Sequence, residues 1–203
     1  PEGAHRDGVD TVAVLLVVGV AVYLVTRKKS SKKSFWTAKT MAVGAMCMAL
    51  SSVLSLIKLW SMPMGGSVTP ASMLPLLLFA YCYGVGPGMV LGALYGVMQF
   101  LLDGMAWAAL GAIPNLLDYP IAFGLLGLAG CFRGSKAKMT AGFVLGCFGR
   151  FMASFLSGFI FYGQYAPEGV NPVWYSLTYN GSYMLVECII CIALGLLVGE
   201  RLA

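Results

Sequence analysis

The sequence predicts an all-α integral membrane protein, a six-helix bundle preceded by one extra N-terminal transmembrane helix. Three observations predict it. Of 203 residues, 59% are hydrophobic and 10% charged, with a mean hydropathy of +0.84; soluble domains carry about 25% charged residues. The apolar runs are long and do not alternate, which excludes a β-barrel and favours helices. Lys and Arg cluster at the ends of these runs, where membrane topology uses them. The net charge of +5 is therefore not a nucleic-acid signal. We divide the chain into residues 1–36, a transmembrane segment with a basic linker, and 37–203, a six-helix membrane domain.

The first run, residues 11–26, precedes Arg27, Lys28, Lys29, Lys32 and Lys33. Its N-terminal flank holds Glu2, Asp7 and Asp10 against Arg6. A secretory signal has its positive charge in front and a cleavage site behind. This segment reads instead as a span with its N-terminus outside and a basic stop inside. The bundle follows as segments at about 37–59, 70–85, 86–102, 112–132, 139–162 and 180–199. The second and third are short and share a Gly84–Gly88 turn that contains Pro87. Arg27 to Lys39, Arg133, Lys136, Lys138 and Arg201 fall on one side of the membrane. The opposite loops carry Asp103 and Glu168, with Lys58 near a helix end. Placing the basic side in the cytoplasm makes every segment alternate. The chain is thus expected to be multi-pass in a plasma membrane, with loops 60–70, 103–112 and the stretch 154–180 facing outward.

Segment one carries Ala38, Ala42, Ala45 and Ala49 on one helix face. Small residues at that period let another helix approach closely in lipid, so Ala42, Ala45 and Ala49 form a candidate docking face; Ala is also common in apolar helices generally. The six cysteines lie in or at the ends of apolar segments and read as small core residues. Cys188 and Cys191 form a CxxC, but no His or further Cys pair accompanies it, so no metal is expected.

Three ionisable residues fall within spans, where charge is costly unless paired or used. Arg150 and Glu187 lie at similar depth and are read as an ion pair clamping segments five and six. Asp118, followed by Tyr119, has no basic partner at its level. It suits a cationic ligand, or it is protonated and bonded to a neighbour such as Asn115. The stretch 154–180 concentrates Tyr162, Tyr165, Trp174, Tyr175 and Tyr179 among turn formers. Flat amphipathic rings beside amides suit a surface that grips a planar molecule, and equally an interfacial aromatic belt. No nucleotide-binding loop or nucleophile–base pair is visible, and the one histidine, His5, precedes the bundle. The residues support recognition of a small organic cation without catalysis or cofactor.

The order LIKLWSMPMGGSVTPASMLP, YGVMQFLLDG, NLLDYPIAFGLLGLAG and GRFMASFLSGFIFYGQYAPEGVNPVWYSLTYNGSYMLVE resembles the thiamine-specific substrate-binding (S) components of energy-coupling factor (ECF) transporters. The resemblance covers essentially residues 37–200. It implies an S-component bundle that binds thiamine near its outer face and is capped by the loop between helices one and two. That lid corresponds to Trp60, Gly65, Gly66 and Ser67. It implies docking through helix one onto a transmembrane coupling subunit driven by two ATPase subunits. It implies ligand contacts at Asp118, Tyr119, Gly158, Tyr175 and Asn180. The best-known members have a His where this chain has Ser154 and a Trp where it has Tyr162. They also have a ring-contacting Tyr one residue from Trp107. Ser154 and Tyr162 leave open an S component for another vitamin or a thiamine precursor; from a different class, the chain could be a stand-alone secondary transporter of a small organic cation.

Overall fold

The computed structural model describes residues 36–62, 65–105, 111–167 and 169–199. The expected span at 11–26, Trp107, Pro63, Met64 and Glu168 lie outside the described residues. Six helices form the bundle: α1 (Ala38–Leu56), α2 (Leu74–Tyr83), α3 (Val85–Leu102), α4 (Ala112–Cys131), α5 (Lys136–Phe161) and α6 (Pro172–Gly199). Five are long and apolar enough to cross a membrane; α2 is not. Its 10 residues span about 15 Å, half a hydrocarbon core. The second segment was expected to run from 70 to 85. The shorter helix leaves Thr69 to Met73 as irregular chain among the helices, with Thr69 4%, Ala71 1% and Met73 1% exposed. Non-helical backbone is tolerated at such depth only when protein covers it, as here.

Helix ends follow their local chemistry. Thr37 and Ser135 accept hydrogen bonds from Thr40 N (3.2 Å) and Lys138 N (3.3 Å), capping α1 and α5. Gly84 takes φ +99° and joins α2 to α3 alone, so the expected five-residue turn shrinks to one residue. Pro87 sits inside the first turn of α3, where its missing N–H costs nothing. The Arg133 guanidinium donates to Cys82 O at the end of α2. The sixth segment was expected from residue 180, but α6 starts at Pro172. Asn171 Oδ1 accepts from Val173 N at 2.9 Å and Pro172 takes the first helical position. Most of the aromatic stretch is therefore helix.

Between α1 and α2, Trp60–Ser61 (β1) pairs antiparallel with Ser67–Val68 (β2). This small hairpin was not expected from the sequence. The main core lies at the end of the bundle near Gly84, built on Leu76, Leu77, Phe79, Tyr95, Phe123, Leu126, Met139 and Phe143. The outer faces of α1 and α6 are apolar and exposed, as at Met46, Leu56, Leu185 and Leu197. Ala42, Ala45 and Ala49 are exposed on the same side of α1, opposite buried Thr40, Gly44, Ser51 and Ser55.

The helix α3 meets α4 backbone to backbone. A Cβ at Gly92 would lie 2.2 Å from Phe123 O, and one at Gly96 2.4 Å from Tyr119 O. Glycine at this four-residue period permits close approach where a methyl group would collide. We expect Gly92→Ala to cost about 1–3 kcal/mol through overpacking. Thermal unfolding of the detergent-solubilised protein checks this; an unchanged midpoint would refute the contact.

Candidate functional site

The site begins with an irregularity in α4. Pro120 has no N–H to give to Leu116 O, and residues Leu117–Ile121 open into a single π turn. Ala122 N reaches back to Leu117 O. The wider turn swings Asp118 and Tyr119 into the bundle. Tyr119 then sits edge-on to Phe100, with ring centroids 5.4 Å apart. Asp118 Oδ2 accepts from Ser157 Oγ of α5 at 2.7 Å. The neighbour anticipated for Asp118, Asn115, donates instead to Gly111 O at 2.7 Å.

Helices α5 and α6 form the opposite wall. A Cβ at Gly158 would lie 2.3 Å from Ser176 Oγ, so glycine is what lets the two helices touch. Ser176 Oγ donates to Phe155 O at 2.8 Å. The Asn180 side-chain amide donates to Ser154 O (3.3 Å) and Ser176 O (3.1 Å). Its Oδ1 accepts from Tyr183 Oη at 3.0 Å. Asn180 thus clasps the seam as well as lining the cleft. Tyr175, Tyr179 and Tyr183 repeat at helical spacing along α6, each pair with centroids 6.0 Å apart.

One cleft gathers these side chains. Asp118, Tyr119, Ser154, Gly158, Tyr162, Tyr175 and Asn180 all line it, with lid residues Gly65, Gly66 and Ser67. Trp60 belongs to the hairpin but is 58% exposed and does not line the cleft. Trp174 and Tyr165 are exposed and face away. Arg150 and Glu187 were expected to form an ion pair clamping segments five and six; they do approach as an ion pair between α5 and α6, and both also line the cleft. Their nearest approach is 3.9 Å, Nη1 to Oε2. That is too long for a hydrogen bond, and Arg150 Nε and Nη1 have none. The guanidinium lies 4.2 Å above the Phe123 ring, a cation–π contact. Glu187 Oε1 accepts from Thr69 Oγ1 and, at 2.8 Å, from Ser72 Oγ.

The β1–β2 hairpin is fastened to α6. Gly66 N donates to Tyr179 Oη at 3.0 Å, and Val68 packs on Tyr183 and Met184. With Thr69 and Ser72 on Glu187, the attachments follow residues 179, 183 and 187 along one face. The sequence alone points to no role in the site for Ser55, Tyr95, Gln99, Ser157, Ser176 or Tyr183, and it names Tyr179 only as part of the aromatic stretch. The Tyr179–Tyr183–Glu187 period was open to view; the serines carried no signal. Among the described residues no group of His, Cys, Asp and Glu is arranged to hold a metal ion.

A family model described as "Thiamine transporter protein" matches residues 41–202. The "Thiamine transporter ThiT" of Bacillus subtilis (strain 168) is 39% identical over 145 residues, 64% of this chain and 73% of that protein. The protein of the same name from Lacticaseibacillus paracasei is 33% identical over 134 residues, 59% of this chain and 67% of that one. A solved structure of ThiT from Listeria monocytogenes superposes with a TM-score of 0.69 over 80% of this chain and 93% of that chain. At 20% identity this last likeness speaks to the fold alone.

The lid attachment has a measurable consequence. Tyr179→Phe removes one hydrogen bond while keeping the ring, a loss of about 1 kcal/mol. Amide hydrogen exchange at Gly66 should accelerate about fivefold. Unchanged exchange would show that the hairpin is held without Tyr179.

Proposed function

The chain belongs to the thiamine transporter protein family, and from that premise we propose that its cleft binds thiamine from the outer side of a plasma membrane. It is a transporter, not an enzyme. The charge balance of the cleft carries the proposal. Among the described residues, four charged side chains line it: Asp103, Asp118, Arg150 and Glu187. Asp103 is paired with Lys58 at 3.0 Å on the exposed rim. Arg150 and Glu187 offset one another across 3.9 Å. Asp118 remains, bonded to a neutral serine hydroxyl. A cleft in a bundle of apolar helices with one uncompensated carboxylate suits a monocation, because burying unpaired charge is costly. Thiamine is a monocation at its thiazolium ring and planar at both rings.

In this reading Asp118 is the counter-ion of the thiazolium. Tyr119, Tyr162 and Tyr175 border the rings and attract the cation by about 0.5–2 kcal/mol each. Ser154 and Asn180 offer hydrogen bonds to polar groups of the ligand. Trp107, outside the described residues, is the further ring proposed here; the family's ring-contacting Tyr has no aligned counterpart in this chain, and Trp107 is one residue away. Gly65, Gly66 and Ser67 close over the ligand. The protein then acts as the S component of an ATP-driven ECF importer. Its exposed Ala42, Ala45 and Ala49 receive the coupling subunit, and two ATPases supply the energy.

Purified protein should show quenched tryptophan fluorescence with thiamine at sub-micromolar concentration. Asp118→Asn should weaken binding about ten- to a hundredfold, the worth of a charge-assisted interaction of about 1.5–3 kcal/mol. No fluorescence change and no calorimetric heat up to about millimolar thiamine would sink the proposal.

The docking face is tested separately. Ala45→Leu or Ala49→Leu should abolish uptake in cells holding the ECF module while thiamine binding survives. Intact uptake in both variants would show that the alanines face only lipid.

A further inference from the structure

Gln99 projects from α3 into the cleft and is 9% exposed. One terminal atom of its carboxamide, placed as Oε1, lies 3.2 Å from Ser55 Oγ and 3.1 Å from Tyr95 Oη. Ser55 Oγ also lies 2.8 Å from Ser52 O. Tyr95 Oη also lies 3.3 Å from Ser51 O. These are four polar contacts, and each is attractive only where a proton lies between its two heavy atoms.

Counting protons decides the orientation. Each hydroxyl brings one proton, and backbone carbonyls bring none. With Oε1 toward the hydroxyls, two protons serve four contacts. Two pairs of oxygens would then face each other bare in a buried place, a costly arrangement. A half-turn of the carboxamide exchanges O and N within nearly the same outline. Nε2 then donates one proton to Ser55 Oγ and one to Tyr95 Oη. The two hydroxyls donate to Ser52 O and Ser51 O. Four protons serve four contacts. Oε1 then takes the position now given to Nε2, which makes no hydrogen bond to an acceptor among the described residues.

We infer that Gln99 is a specificity-determining residue that presents its side-chain carbonyl to the cleft and reads an N–H donor on the ligand. This rests on the cleft being the thiamine site. Thiamine has one N–H donor, the exocyclic amino group of its pyrimidine. That nitrogen shares its lone pair with the ring, so it donates and does not accept. A hydroxyl can turn to suit either partner and needs no fixed acceptor. Gln99 therefore selects ligands by the amino group, on the wall of α1 and α3. Asp118 answers the positive charge from α4. Each part of the ligand is tested by a different helix.

The test compares thiamine with its analogue bearing an oxo group in place of the amino group. Binding of both is measured calorimetrically to the wild type, to Gln99→Met and to Gln99→Glu. The wild type should prefer thiamine at least tenfold. Gln99→Met, close in volume, should reduce that ratio about tenfold, the worth of one buried hydrogen bond. Gln99→Glu keeps an oxygen at the cleft and should retain the preference. A ratio unchanged in Gln99→Met, or lost equally in Gln99→Glu, overturns the inference. So does a wild type that prefers the oxo analogue and loses that preference in Gln99→Met, because the amide nitrogen would then face the ligand. Failure of the wild type to bind thiamine at all would instead remove the reading of the cleft on which the inference stands.

Discussion

Charge held away from water organises this bundle. Glu187 is 1% exposed and Arg150 13% by side chain, deep among apolar helices. Neither could stay there alone, since burying an ion costs several kcal/mol even after relaxation. Their contact of 3.9 Å is loose, so each takes further support. Phe123 lends its ring face to the guanidinium. Thr69 and Ser72 lend hydroxyls to the carboxylate. Those two residues lie in the irregular chain between hairpin and α2. Stabilising one carboxylate thus fixes the root of the lid, the start of α2 and the inner face of α6 together.

The same constraint explains the abundance of short polar side chains where helices meet. Ser154, Ser157, Ser176 and Asn180 are all buried. In lipid there is no hydrophobic drive between helices, so close packing and hydrogen bonds hold them. Gly158 brings α5 and α6 near enough for Ser176 and Asn180 to reach across. The wall of the cleft and the seam that holds the bundle use the same atoms. A change made for affinity at Asn180 therefore also acts on helix packing.

Much of the fold was legible in the sequence because long apolar runs and clustered basic residues report spans directly. The family resemblance carried the site, and Asp118, Tyr119, Gly158, Tyr175 and Asn180 do meet in one cleft. What stayed hidden had physical reasons. Asn171–Pro172 was read as a turn, although Asn before Pro is equally a helix cap with Pro at the first position; hydropathy saw only the polar residues that follow. The π turn has no hydropathy signature, since it moves side chains without altering composition. Arg150 and Glu187 were correctly judged close in depth. Depth along two helices cannot say whether the faces turn to each other or to a cavity. The glycines of α3 were passed over because only the partner's backbone, invisible in one sequence, shows why a methyl group would not fit.

The short helix α2 carries a consequence for permeation. Its brevity lets the cleft sink well into the bundle, with Thr69 and Ser72 among its lining residues. Below it, Leu77 and Phe143 are fully shielded, and Phe79 and Leu126 nearly so. Among the described residues the cleft ends on this packed base and does not run through the bundle as a tube. A cleft closed at one end is no passive channel, so whatever it holds crosses only when the bundle itself is turned or deformed.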